Sequence, residues 1–318
     1  MSILLSNFIF AHSGAANPGC SRLSGGSLRP RKLIALALLA AFSCAADTYP
    51  RQPGIDAIHY IFRLTLTDSS DEIVGEATAD LRFVKDGVTQ FALDLASVSD
   101  GRGMSVVSVT SAGAPVPYKH ESDKLTVSLP SPPKAGDRRQ FTVRYHGVPK
   151  DFGRAAAGLS IRLNKYGERT FFSLNWPDRA RQWLPIVDHP SDKATSEFIV
   201  IAPAKYQVVA NGLLQEETDL GDGDRRTHWK QSVPIASWLN AIGVAQFAMH
   251  SAGAVRGIPL QTWVYHQDRD NGIVTFEEPA RKALEFYIDH IGPYSYEKLA
   301  NVEAAGLGGG TEHASEIF

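Results

Sequence analysis

The sequence has 318 residues, of which 43% are hydrophobic and 21% charged, and a formal charge of −2. This is globular composition with enough apolar material for two domains. The near balance of charge excludes the electrostatic footprint that nucleic acid or an anionic membrane surface requires.

In chain order, the first element is an export signal. Arg29, Arg31 and Lys32 precede an apolar run from Leu33 to Phe42, and small residues follow. That order matches the basic, apolar and cleavage regions of a secretory signal over about residues 28–46, with residues 1–28 as an upstream extension. The run is too short to span a bilayer, which takes roughly 20 residues. A buried core helix is the competing reading, and the basic flank argues against it. The expectation is an exported protein, periplasmic or extracellular, with no integral membrane span. Both cysteines, Cys20 and Cys44, fall within residues 1–46. The remainder therefore has no disulfide framework and no cysteine nucleophile or ligand. A lipid anchor on Cys44 ranks behind simple export, because Ala41-Phe42-Ser43 is a poor preceding context.

From residue 47 to about 250 the dominant signal has period two. Tyr60, Phe62, Leu64 and Leu66 alternate with His59, Ile61, Arg63 and Thr65, and Ala77, Ala79, Leu81 and Phe83 follow the same period. Leu125, Val127 and Leu129, then Phe141, Val143 and Tyr145, continue the pattern. Turn residues such as Asp86-Gly87, Asp100-Gly101 and Asn211-Gly212 bound the runs. Many short strands with frequent turns predict an antiparallel β-sandwich or saddle, making a mainly β domain over 47–250.

After Asp270-Asn271-Gly272 the period changes. Thr275 and Glu278 have capping-box spacing, and Ala280, Ala283, Leu284, Tyr287 and Ile288 recur at helical intervals until Gly292-Pro293. The spacing predicts a helix with Pro279 in its first turn. Residues 251–318 read as the start of a mixed α/β domain.

Two stretches stand apart from this background. "NWPDRARQWLPIVDHPSDKAT", residues 175–195, holds Trp176, Arg181, Trp183, Asp188, His189 and Lys193 among three prolines. A charged, aromatic, proline-rich stretch is more often a rigid corner with satisfied ion pairs than a reactive centre. "PYSYEKLANVEAAGLGGGTEHAS", residues 293–315, places Glu312 directly after glycines that let backbone approach a ligand closely.

In this order and spacing the two stretches resemble motifs of the aminopeptidase N-type zinc metallopeptidases. Arg181, Pro185, Asp188, Pro190, Lys193 and Ala194 match the family's "ARrwlPxxDxPxxKA" segment. Pro293, Tyr294, Tyr296, Lys298 and Leu299 match its "PYPYxKL" segment, and Gly309-Gly310-Thr311-Glu312-His313 matches its "GxMEN" loop imperfectly. The resemblance covers about residues 55–318. It implies an N-terminal β-saddle followed by the start of a thermolysin-like catalytic domain. It also implies that Glu312 binds the α-ammonium of a peptide with a free N-terminus, through a charge-assisted bond. Gly309 and Gly310 would leave loop backbone available to pair with substrate main chain. Thr311 and His313 replace the family's Met and Asn, so contacts beside the anchor differ. Asn175 stands as a weak substitute for the second amine-contacting residue expected before the first motif.

The family's zinc is held by HExxH and a distant Glu. The one His-Glu pair in that order, His120-Glu121, lacks a second histidine at the required spacing. No catalytic and no metal-ligating residue is assigned to this chain, and zinc is expected only in a longer parent. There is no G-x-S-x-G and no phosphate loop. The expectation is an exported zinc aminopeptidase's N-terminal fragment, itself inactive, that serves peptide hydrolysis. The alternative is a non-catalytic peptide- or protein-binding β module. A third reading within the family adds the opening of lipid epoxides, and no residue favours it.

Overall fold

The computed structural model describes residues 47–150 and 158–304. The chain divides into two compact units, Met1–Pro50 and Arg51–Phe318. Of the first, only residues 47–50 are described, and they form no regular element. The export-signal segment thus lies outside the described residues. Among the described residues, no helix is long and apolar enough to cross a membrane.

The second unit is mainly β, as its alternation predicts. Its largest sheet has eight strands. In spatial order they are Leu213–Asp219, Asp224–Ile235, Ala194–Pro203, Ile55–Thr65, Ile73–Phe83, Arg138–Val148, Gly103–Ser111 and Ala114–Pro115. Inward positions of the central strands are fully buried, including Phe62, Leu64, Ala77, Leu81, Val143 and Val200. Each buried Phe or Leu contributes about 1.5–3 kcal/mol against exposure, so this face holds much of the fold's stability.

A three-stranded sheet (Gln90–Asp94, Lys124–Ser128, Tyr118–Glu121) packs on the inner face through Phe91, whose ring lies 4.7 Å from that of Phe141. A four-stranded sheet holds Gln207–Ala210, Ile242–Ala245, Arg169–Leu174 and Gly158–Leu163. The last sheet joins Phe247–Val255, Ile258–Tyr265 and Leu299–Val302.

The sheets depart from the antiparallel expectation at two pairings. Ile55–Thr65 runs parallel to Ala194–Pro203, with His59 opposite Thr195 and Thr65 opposite Ile201. Ile258–Tyr265 runs parallel to Leu299–Val302. Alternation has the same period in both orientations, so sequence pattern alone does not separate them.

The helix also differs from its prediction. It spans Arg269–His290 and follows a 3₁₀ turn at His266–Asp268. It therefore starts before the predicted capping box. Thr275 lies inside it and donates its hydroxyl proton to the Asn271 carbonyl at 2.7 Å, and Pro279 sits in its interior. Asp270-Asn271-Gly272 reads as a turn in sequence, but Gly272 is helical because the helix lies close against Val264. A Cβ there would stand 2.6 Å from Val264 Cγ1. Of the predicted apolar stripe, Leu284 is buried, while Tyr287 remains exposed.

Candidate functional site

The first motif folds as a tightly bonded corner between the large and four-stranded sheets. The Arg169–Leu174 strand ends at Asn175, and a 3₁₀ turn at Ala180–Gln182 redirects the chain. Trp183 is fully buried, stacks on Phe198 with ring centroids 6.0 Å apart, and donates its indole N–H to Asn175 Oδ1 at 2.9 Å. Asn175 Nδ2 donates in turn to the Asn240 carbonyl at 2.5 Å. Both ends of the Asn175 amide are thus engaged within the corner.

Arg181 and Asp188 form the motif's ion pair, with Nε 3.0 Å from Oδ2. The Ser237 hydroxyl donates to the other carboxylate oxygen at 2.9 Å. Burial pushes the Asp188 carboxyl above its ordinary value, and the Arg181 charge opposes that only in part. Asp94 extends the network: it pairs with Lys124, lies 3.7 Å from Arg181 and accepts the Asp188 backbone N–H at 2.9 Å. His189 bonds Ser191 at 2.7 Å. Every charged group named here holds the corner itself, as the structural reading of this stretch anticipates.

The second motif begins as a docked strand. Lys298 has no solvent exposure, and its ammonium donates to the carbonyls of Ala210 at 2.8 Å and Gly212 at 2.6 Å. Its Nζ also lies 4.7 Å from the Trp229 ring centroid, within cation–π range. Gly212 takes a φ of 75°, and a Cβ there would strike the Lys230 carbonyl. The tight turn that presents its carbonyl to Lys298 therefore needs glycine. Next to Lys298, Glu297 accepts the Ser232 backbone N–H at 3.1 Å, and Tyr296 packs on Ile235, Ala236 and Leu239.

The far end of the Leu299–Val302 strand is held by Glu303. It accepts the Tyr265 backbone N–H at 2.9 Å and pairs with Lys165 at 3.0 Å. Lys165 also meets Asp268 at 2.7 Å, and Tyr166 donates to Asp268 at 2.6 Å. The Lys165 and Tyr166 hydrogen bonds hold the Asp268 carboxyl below its ordinary value. His266 and Gln267 bond Glu168 at 2.8 and 2.9 Å, completing a polar latch. The strand is thus fastened at both ends, shortly before the glycine-rich stretch of the sequence. Sequence reading matched Lys298 to a motif without a role and missed Glu303 and Lys165, whose partners are distant in sequence.

Gly309, Gly310, Thr311, Glu312 and His313 lie outside the described residues. Among the described residues, no group of three or more His, Cys, Asp or Glu side chains could hold a metal. The sequence pair His120-Glu121 is spent on surface contacts: His120 bonds the Leu95 carbonyl at 3.0 Å and Glu121 pairs with Lys119 at 2.6 Å. The described side chains therefore do not fit zinc.

Comparison with known proteins follows the same lines. The family model of the Peptidase M1 N-terminal domain matches residues 56–239. Glutamyl aminopeptidase of Bos taurus is 28% identical over 138 residues, covering 42% of this chain and 14% of that protein. Aminopeptidase A of Gloydius brevicauda is 28% identical over 136 residues, with 42% and 14% covered. The match thus spans about one seventh of the curated relatives' length. An M1 zinc metallopeptidase from Deinococcus radiodurans has the same fold at a TM-score of 0.68 and 23% identity, covering 79% of this chain and 57% of that one. That share of the chain exceeds what residues 56–239 make up, so the likeness in fold extends beyond the matched domain. The chain belongs to the Peptidase M1 N-terminal domain family.

Proposed function

We propose that this chain is the N-terminal part of an exported zinc aminopeptidase and supplies the recognition of the peptide's free N-terminus. The observation that carries the reading is the strand Leu299–Val302, fastened by Lys298 and Glu303 within an M1 fold and followed in sequence by the glycine-rich stretch. A loop leaving a fixed strand is a suitable support for a carboxylate that must meet an ammonium in one place, because preorganisation limits the ordering cost of binding. Glu312 is that carboxylate. Thr311 and His313 shape the contacts beside it, and Gly309 and Gly310 keep backbone available to the substrate. Asn175 stays in the corner, with its amide already engaged.

In the parent enzyme zinc polarises the scissile carbonyl and activates water. This chain's described residues offer it no ligands, and its own part is to bind and orient the amine end. The region from 251 onward is the start of the catalytic domain. Its helix leaves Val274, Phe276, Phe286 and Tyr287 exposed, an apolar surface that the rest of a larger enzyme would cover. The leader at about residues 28–46 directs export to the periplasm or beyond.

The test is hydrolysis of aminoacyl anilides by the longer gene product. It should cleave substrates with a free α-amine, fail on N-acetylated ones, and lose activity to a chelator that zinc reverses. Equal cleavage of acetylated substrates would overturn the reading. The 318-residue chain should bind no stoichiometric zinc, and one equivalent by elemental analysis would contradict the assignment of the metal to the parent.

A further inference from the structure

The outer face of the eight-stranded sheet carries a trough of about 810 Å³ that runs across seven of its strands and includes no residue of either motif. Six inter-strand spacings make it roughly 29 Å long, the reach of an extended chain of about nine residues. Its floor is apolar: Ile199 and Ile201 alternate outward from the buried Phe198 and Val200, and Val74 is 55% exposed. Soluble proteins rarely leave such a strip open without a use for it.

Two β-bulges shape the ends. The pairing of Gly103–Ser111 with its neighbour shifts register between Val106 and Ser108, which turns Val107 outward at 62% exposure. At the opposite edge a shift between Leu214 and Glu216 brings Glu216 to the rim. Bulges at sheet edges commonly serve to re-aim a side chain.

The charged groups lining the trough carry a formal excess of one positive charge, and its two histidines, His146 and His228, are held by Glu72 and Glu197 beside it. Glu76 is shared by two guanidinium groups, at 2.9 Å from Arg144 and 3.6 Å from Arg63, so one carboxylate faces two cations. Arg226 pairs with Glu216 at 2.7 Å. Three arginines thus stand against two glutamates, with their side chains 40–68% exposed toward solvent.

We propose that this trough binds an extended acidic peptide segment, its apolar side chains on the isoleucine–valine floor and its carboxylates on Arg63, Arg144 and Arg226. Guanidinium groups suit carboxylates through paired N–H donors. The length and the apolar floor favour a peptide over a small anion, and the two rim glutamates disfavour a polyphosphate backbone. The proposal does not depend on the chain's role in N-terminal recognition.

The test uses the 318-residue chain and a dye-labelled, N-acetylated nonapeptide of alternating glutamate and valine. Acetylation keeps the probe from any amine anchor. Fluorescence anisotropy at low salt should show saturable binding at least about tenfold tighter than that of the lysine–valine analogue. Arg144→Gln and Arg226→Gln should each weaken it by about three- to tenfold, and Val107→Glu by more than about tenfold. All three side chains are exposed, so circular dichroism should show unchanged folds. Equal binding of the acidic and basic peptides would overturn the proposal. So would indifference to the three substitutions, absence of binding up to millimolar peptide, or equal competition by a single-stranded oligonucleotide.

Discussion

Lys298 places an ammonium group in a fully buried position, where backbone carbonyls and an indole face help to make it tolerable. Charge-assisted bonds of this kind are each stronger than neutral ones, and an unmade partner left buried costs about 1–3 kcal/mol. Lys298→Met keeps much of the volume but removes the ammonium's hydrogen bonds to the carbonyls of Ala210 and Gly212. Urea unfolding should show a loss of about 2–4 kcal/mol, and an unchanged midpoint would refute the role of the ammonium. Asp192 provides a second test. Burial pushes its carboxyl up to about 6, with the Asp56 charge adding to the effect and the Ala57 N–H opposing it. Its folded pKa thus lies above the model-compound value of 3.8. The proton is held more tightly in the folded state, so this group's stabilising contribution is complete below about pH 4 and is lost as pH rises through about 6. Asp192→Asn can still accept the Ala57 N–H. The variant should match the parent near pH 4 and exceed it by about 1–2 kcal/mol at pH 8, after solvent screening at this half-buried position. A constant difference across that range would show that the carboxyl does not titrate as described.

The helix Arg269–His290 shows how an element can defy its local signals. Gly272 and Pro279 both lower helix propensity, and Gly272 is matched to a close contact with Val264. Ala at 272 would gain about 1 kcal/mol of propensity but drive a Cβ into Val264. Ala at 279 would restore a backbone donor with no such obstacle. Gly272→Ala should therefore lower the thermal midpoint, and Pro279→Ala should raise it; the reverse order would mean that propensity, not packing, decides. The same element marks the limit of what the sequence discloses. Strands such as Ile73–Phe83 are legible because one face is buried along their whole length. The parallel partner of Ile55–Thr65 is not, because it lies some 130 residues away and leaves the period unchanged. Asn271-Gly272 misleads because the sheet surface beneath it is a tertiary fact. At the candidate site, the Arg181–Asp188 pairing follows from residue types seven apart. The Lys298 and Glu303 bonds do not, since their partners come from strands and turns up to 138 residues distant.

At the scale of the whole molecule, the β framework and the following strand form one support. The corner at 175–195 is held by buried ion pairs, the Lys165–Asp268–Glu303 latch closes one end, and Lys298 pins the other. Their common effect is to hold the chain in place as far as residue 303. Under the proposed function, recognition of the peptide's amine falls to this side and the metal to the remainder of the parent. It is tested most directly by steady-state kinetics of Glu312→Gln in the longer gene product on free-amine substrates. The expected result is a rise in KM with weakened preference for free over acetylated N-termini. The cost should be a few kcal/mol, as when one partner of a buried charge pair is lost. Wild-type KM together with wild-type selectivity would contradict it.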